Sequence, residues 1–375
     1  MRFVCYFTIV LALHAAAGQA PKQGSTTSAD ALLSAAIAAQ QHHDYKTAIE
    51  DYRKVLALKP ALGEARANLG SALSADGQFD AAIEEDTKAL EVAPDKTAVR
   101  MNLGLAYYKK GDMPHAHDLF EMVHKARPSD VNAAVLLAYT DIKVDKIAEA
   151  ATLLGPQEQG HENDMDYQYV YGYALIETGK EDEGLPRMER VAQATRSVDA
   201  YDIAASARMQ KSQFAQARAD TEAALKIDPK FPGLYTLAGQ ACDALGDTDA
   251  SVPDFEAALR ENPRDAMANL YLGVTRLKQR DFASAKPLLE LALELLPGHP
   301  LTRLQLAKLD AMTGKVDEAV ATLEDLEKHD PGWMDPHVEL APLYYKLHRA
   351  EDGDRERAIV ADLQAKQQQA GPHNK

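Results

Sequence analysis

The 375-residue chain is short of sulfur, aromatic rings and positive charge. It has two cysteines, Cys5 and Cys242, and a single Trp, and only 6% of its residues are aromatic. Two thiols allow at most one disulfide, which excludes a disulfide-stapled fold. Lys and Arg number 41 against 57 Asp and Glu, a net charge of −16, and no basic run is long enough to track a phosphate backbone. Nucleic acid and anionic lipid are therefore not expected as partners. No nucleophile elbow, phosphate loop or dinucleotide fingerprint is present, so the common enzyme signatures are missing too. What remains is an apolar fraction of 46%, rich in Ala and Leu, which suits closely packed helices.

A period fills the space those absences leave. Pro60, Pro94 and Pro128 are 34 residues apart, as are Pro229, Pro263, Pro297 and Pro331. With each Pro at position 32, units begin near Asp30, Gly63, Thr97, Val131, Met165, Val198, Pro232, Ala266 and Pro300, with a partial one at Met334. Position 8 is small (Gly70, Gly104, Gly172, Gly239, Gly273, or Ala) and position 20 is Ala (Ala48, Ala82, Ala116, Ala150, Ala217, Ala285, Ala319). Position 24 is often large (Tyr52, Phe120, Phe255, Leu289, Leu323). Spacings of three, four and seven put these on single helical faces. Gly77, Gly111, Gly179, Gly246 and Gly314 fall at position 15, where the chain must turn between two helices. A fixed period of this length marks a solenoid of two-helix units, which leaves no room for a catalytic domain of ordinary size.

These residues make the stretch from about 30 to 348 resemble the tetratricopeptide repeat family. The resemblance implies an all-α fold, a right-handed α-solenoid of about nine 34-residue helix-turn-helix repeats with a partial C-terminal unit. The array is expected over 29–348, followed by a capping helix and disordered tail over 349–375. The fourth unit departs from the pattern: Gly155-Pro156 should stop its second helix early, and the polar stretch to Asp166 provides a place where the array could hinge, at 155–166.

Residues 1–20 are expected to be a secretory signal. Arg2 precedes an apolar run from Phe3 to Ala17, broken by Thr8 and His14, and Gly18-Gln19-Ala20 offers a small-x-small cleavage site. The run is short for a membrane span, so no stable insertion is expected after cleavage and the product would be periplasmic or secreted. Residues 21–28 read as a flexible leader.

Candidate chemistry is thin. His161-Glu162 begins like a zinc-protease helix, but Met165 stands where the second His should be. His117, Glu121 and His124 share a helix face at positions that mostly point outward, and they read as solvated surface. Asp243, Asp247 and Asp249 read as turn and cap residues, because the turn is too short for a calcium loop. Asn68, Asn102 and Asn269 read as structural. Pro186, Pro253 and Pro287, at position 22, read as helix-start residues. No catalytic residue, cofactor or metal is expected.

Function is then expected on the surface. The resemblance implies that positions 2, 5, 9, 12 and 13 of the first helices face a concave groove. In repeats three to five they give Met101, Leu105, Tyr108, Val135, Tyr139, Ile142, Tyr169, Tyr173 and Ile176. In repeats eight and nine they include Leu270, Val274, Leu277 and Leu304, with Met267, Leu301 and Met312. Lys109, Lys143, Lys278, Lys308 and Lys346 lie among them and could pair with acidic side chains of a ligand. Ala98, Asn132 and Leu136 stand where a carboxylate-clamping repeat needs Lys or Arg, so that function is not implied. The expectation is a non-enzymatic scaffold that binds a protein or peptide, with Tyr139, Tyr169 and Tyr173 as anchors, in a cell-envelope complex. An accessory subunit of an envelope polysaccharide or secretion machine is the alternative.

Overall fold

A computed structural model describes residues 28–369; the expected signal and almost all of the expected leader lie outside them. Every regular element described is helical. The chain divides into two units, the first ending at Ile203 and the second starting at Ala204.

The first unit holds five helix pairs: α1 (Ala29–Gln41) with α2 (Tyr45–Leu58), α3 (Gly63–Ala75) with α4 (Phe79–Val92), α5 (Lys96–Lys110) with α6 (Met113–Ala126), α7 (Val131–Lys143) with α8 (Ile147–Leu154), and α9 (Met165–Glu177) with α10 (Glu181–Thr195). The boundary between units falls inside α11 (Val198–Gln210). The second unit continues with α12 (Phe214–Ile227), α13 (Leu234–Ala244) with α14 (Thr248–Glu261), α15 (Ala266–Lys278) with α16 (Phe282–Leu295), α17 (Pro300–Met312) with α18 (Val316–His329), and α19 (Met334–Lys346) with α20 (Ala350–Gln369). The first helices begin within two residues of where the period places them. The tenth unit, expected as partial, is a full pair, and its second helix runs to Gln369.

The same local chemistry builds each pair. Eight helices start on an Asp whose carboxylate accepts from the backbone two or three residues on: Asp44, Asp95, Asp112, Asp130, Asp164, Asp247, Asp265 and Asp281. Caps of this kind satisfy amides that no helical carbonyl can reach, and they explain part of the acidic excess. Asp247 caps α14 as expected. Position 15 has positive φ in all ten units. Five of these residues are glycines, such as Gly111 at φ 88°; the others are His43, Asp145, Ser212, Arg280 and His348, at φ 56–62°. The turn geometry is therefore fixed by the fold, and side chains there tolerate a left-handed backbone.

Pairs close by laying a small residue against a large one. A Cβ on Gly104 would meet Phe120 Cε1 at 2.7 Å, one on Gly239 would meet Phe255 at 2.6 Å, and one on Gly273 would meet Leu289 at 2.8 Å. Positions 8 and 24 thus touch, and the position-20 alanines beside them are fully buried. In the second pair, position 24 is Asp86. It is fully buried against Gly70, and neither carboxylate oxygen has a hydrogen-bond partner among the described residues.

One feature departs from the sequence reading. Pro186, Pro253 and Pro287 each sit at the sixth residue of their helix, not at its start. All three are exposed, so the carbonyl that loses its amide donor can be solvated instead. The Gly155-Pro156 break is real: α8 has 8 residues and passes into a short 3-10 turn, Gly155–Gln157. The polar stretch after it is nonetheless pinned. Tyr167 donates from its hydroxyl to the Leu154 carbonyl, and Arg187 pairs with Glu158. Arg190 reaches the Glu162 carbonyl at 2.9 Å, and Gln168 donates to the His161 carbonyl at 2.9 Å.

Candidate functional site

Neighbouring first helices touch one another: α1 with α3, α3 with α5 and α7 with α9 in the first unit, and α13 with α15, α15 with α17 and α17 with α19 in the second. They therefore form the inner layer of each unit, and this contact corrects the expected groove. Eight of its thirteen residues, Leu105, Val135, Tyr139, Tyr169, Tyr173, Leu270, Leu277 and Leu304, are buried. They are wedged between consecutive pairs. Leu105 packs with Leu136 and Leu137, for example, and Leu270 and Leu277 pack with Leu309. Met101, Tyr108, Ile142, Ile176 and Val274 are half-buried and keep some surface, and Met312 is exposed.

In the first unit the half-buried residues lie among aromatic rings and charges. Tyr108 meets Tyr139 edge-on, with ring centroids 5.4 Å apart, and the Lys143 ammonium lies 5.3 Å from the Tyr139 ring centre. Burial pushes the Tyr173 hydroxyl up to about 12, and Glu177, one turn along α9, adds to the shift. Lys109 has an exposed side chain, yet the protein around it pushes its ammonium down. On inner positions of α9 and α11 stand Asp166, Asp199 and Asp202. All three are half-buried and raised by desolvation, Asp202 to about 6 with help from Asp199. Charged groups short of water on an inner face suit a ligand that brings the opposite charge. Nothing in the composition singled out the three aspartates. Their signal is positional: they stand at inner positions 2, 2 and 5 of the fifth and sixth repeats.

The second unit ends on an apolar cavity of ≈ 460 Å³, lined by Val338, Ala341, Pro342 and Tyr345 of α19 and by Arg357, Val360, Ala361 and Gln364 of α20. Val338, Pro342 and Tyr345 are positions 5, 9 and 12 of the tenth unit, which sequence reasoning left out by treating that unit as a remnant.

His117 is also placed differently than expected. It is buried, with Nε2 2.9 Å from Asp141 Oδ1 and 3.3 Å from Lys146 Nζ, so it tethers α6 to the next pair rather than facing solvent. Asn269 is structural as expected, donating to the Pro263 and Asp265 carbonyls.

Among solved structures, a tetratricopeptide repeat protein from Parabacteroides merdae ATCC 43184 is 18% identical, covers 67% of this chain and 99% of its own, and has a TM-score of 0.48. Yeast Tom70 is 16% identical over 89% of this chain and 92% of its own, with a TM-score of 0.40. Mouse protein O-mannosyl-transferase TMTC1 is 27% identical over 132 residues, 34% of this chain; the chain spans 14% of that protein's length. Family models described as tetratricopeptide repeat match residues 33–91, 68–131 and 236–300, and a second such model matches 276–341. Together they span more than half of the chain, in both units and in the register of the helix pairs, and the chain belongs to the tetratricopeptide repeat family.

Proposed function

We propose that this protein is an exported, non-enzymatic scaffold of the cell envelope. It binds a polypeptide on the inner face of α5, α7, α9 and the first residues of α11, and the bound segment carries basic side chains. Tetratricopeptide repeats bind proteins and peptides generally. The observation that carries the choice of ligand is the set of half-buried carboxylates Asp166, Asp199 and Asp202 on inner positions of α9 and α11. A Lys or Arg head would meet desolvated carboxylates there. The half-buried Met101, Ile142 and Ile176 would receive apolar side chains. Export rests on Arg2, the Phe3–Ala17 run and Gly18-Gln19-Ala20, which lie outside the described residues.

The test begins with partners captured from an envelope fraction by the full chain. Their affinities are then measured for Tyr108→Ala and for the double variant Asp199→Asn, Asp202→Asn. Each should weaken binding by roughly tenfold or more, about 1.4 kcal/mol, with little change in melting temperature. Undiminished binding in both variants, once correctly folded, would remove this face from the site.

A further inference from the structure

At the end of the second unit, three helices bring together side chains that the peptide-binding reading does not use. His337 of α19 is 1% exposed, Glu356 of α20 is 1% exposed, and Glu327 of α18 lies beside them. His337 Nε2 is 3.2 Å from the Pro331 carbonyl, which can only accept, so Nε2 carries the hydrogen. Nδ1 is 2.6 Å from Glu356 Oε2 and 4.0 Å from Glu327 Oε1. A bare nitrogen lone pair facing a carboxylate oxygen at 2.6 Å is repulsive unless something positive lies between them. That can be a proton or a metal ion. The second Glu356 oxygen, Oε1, is buried without a hydrogen-bond partner among the described residues; its nearest cation is Arg355, with Nε 3.5 Å away.

We propose that Glu327, His337 and Glu356 form a binding site for a divalent transition-metal ion of the zinc type. One donor atom from each lies within 4.8 Å of the other two. One imidazole nitrogen with two carboxylates is a donor set that zinc accepts in a four-coordinate site, with water in the remaining position. Calcium and magnesium need more oxygen ligands than converge here. The ring's other nitrogen is held by a backbone carbonyl, which is how ligating histidines are oriented. On binding, the ion takes the place of the proton between Nδ1 and Oε2, that proton leaves to solvent, and the two atoms move apart to coordination distances. Glu327, with a side chain 27% exposed, is the edge through which the ion enters. The ion would then cross-link α18, α19 and α20.

The test uses untagged full-length protein, stripped with chelator and titrated with zinc by calorimetry. One equivalent should bind, and the melting temperature should rise by several degrees, because a ligand selective for the native state stabilises it. Since replacing the buried His337 could unfold the last pair, Glu327→Gln carries the comparison. It should keep the native circular dichroism and lose zinc affinity by at least about tenfold, the loss that even an outer-shell partner causes. Cys242→Ser should leave zinc affinity unchanged. The proposal fails if zinc does not bind, if Glu327→Gln binds it undiminished, or if affinity disappears with Cys242.

Discussion

Position 24 of the second helix pair holds the residue least suited to its place. Equivalent positions carry Tyr52, Phe120, Phe255, Leu289 and Leu323, and Asp86 stands there with both oxygens buried and unpaired. Burial, with Glu85 nearby, pushes its carboxyl from the usual 3.8 up to about 8. The folded chain therefore holds a proton that the unfolded chain releases, and this group's contribution to stability declines as pH rises from about 4 to 8, then levels off. Asp86→Asn should flatten that part of the stability–pH curve. Asp86→Leu should stabilise by about 1 to 3 kcal/mol, as expected when a buried unpaired polar group is removed, measured by urea melts at pH 5 and 8. A lower stability for Asp86→Leu would contradict this account. Tyr173 works the other way. Because it is 7% exposed, Tyr173→Ala should cost about 3 to 5 kcal/mol of folding free energy, and any loss of binding should follow the loss of fold. The periodicity placed Tyr173 on the inner face of its helix. It could not say how closely the next helix approaches, and that distance decides between a contact residue and a core residue.

At the scale of helices and turns, the sequence was most informative where a requirement repeats. The Gly at position 15 in five units announced a left-handed turn, and the other five units adopt it without glycine. Replacing Arg280 (φ 60°) by Gly should relieve strain and raise stability by up to about 1 kcal/mol, while Gly111→Ala at φ 88° should lower it by a similar amount. Thermal melts of the two variants read both signs. The short α8 was legible from Gly155-Pro156, because proline at that place has a local effect. The ties that hold the following stretch were not. Arg187 and Arg190 come from α10, some 28 residues on, and no local pattern links them to Glu158 and Glu162. The same limit hid His337, Glu327 and Glu356, each an unremarked polar residue of its own helix, as well as the burial of His117 against Asp141.

For the whole molecule, each pair packs mainly on its neighbours, so stability should be close to a sum over pairs and adjacent interfaces. A fragment of residues 28–130, holding α1 to α6, should fold alone with a helical circular dichroism spectrum and a cooperative, lower-temperature melt; a random-coil spectrum would refute this. The architecture was readable from the chain because its contacts fall within about one period, whereas the ligand face depends on which side chains several consecutive repeats leave exposed on their inner helices.

Cys242, on α13, is buried at position 11 of its unit, with its Sγ 3.8 Å from Asp254 Oδ2, and burial pushes the thiol up from its ordinary value. In the closed fold it should be inert to alkylating reagents, both because they cannot reach it and because little thiolate forms. Its modification rate then becomes a clock for the opening of the seventh helix pair. Followed by mass spectrometry at increasing urea, that rate should reveal whether the pair opens by itself or only when the array unravels from an end: a rate insensitive to low urea indicates local opening, and one that climbs steeply with urea indicates unravelling.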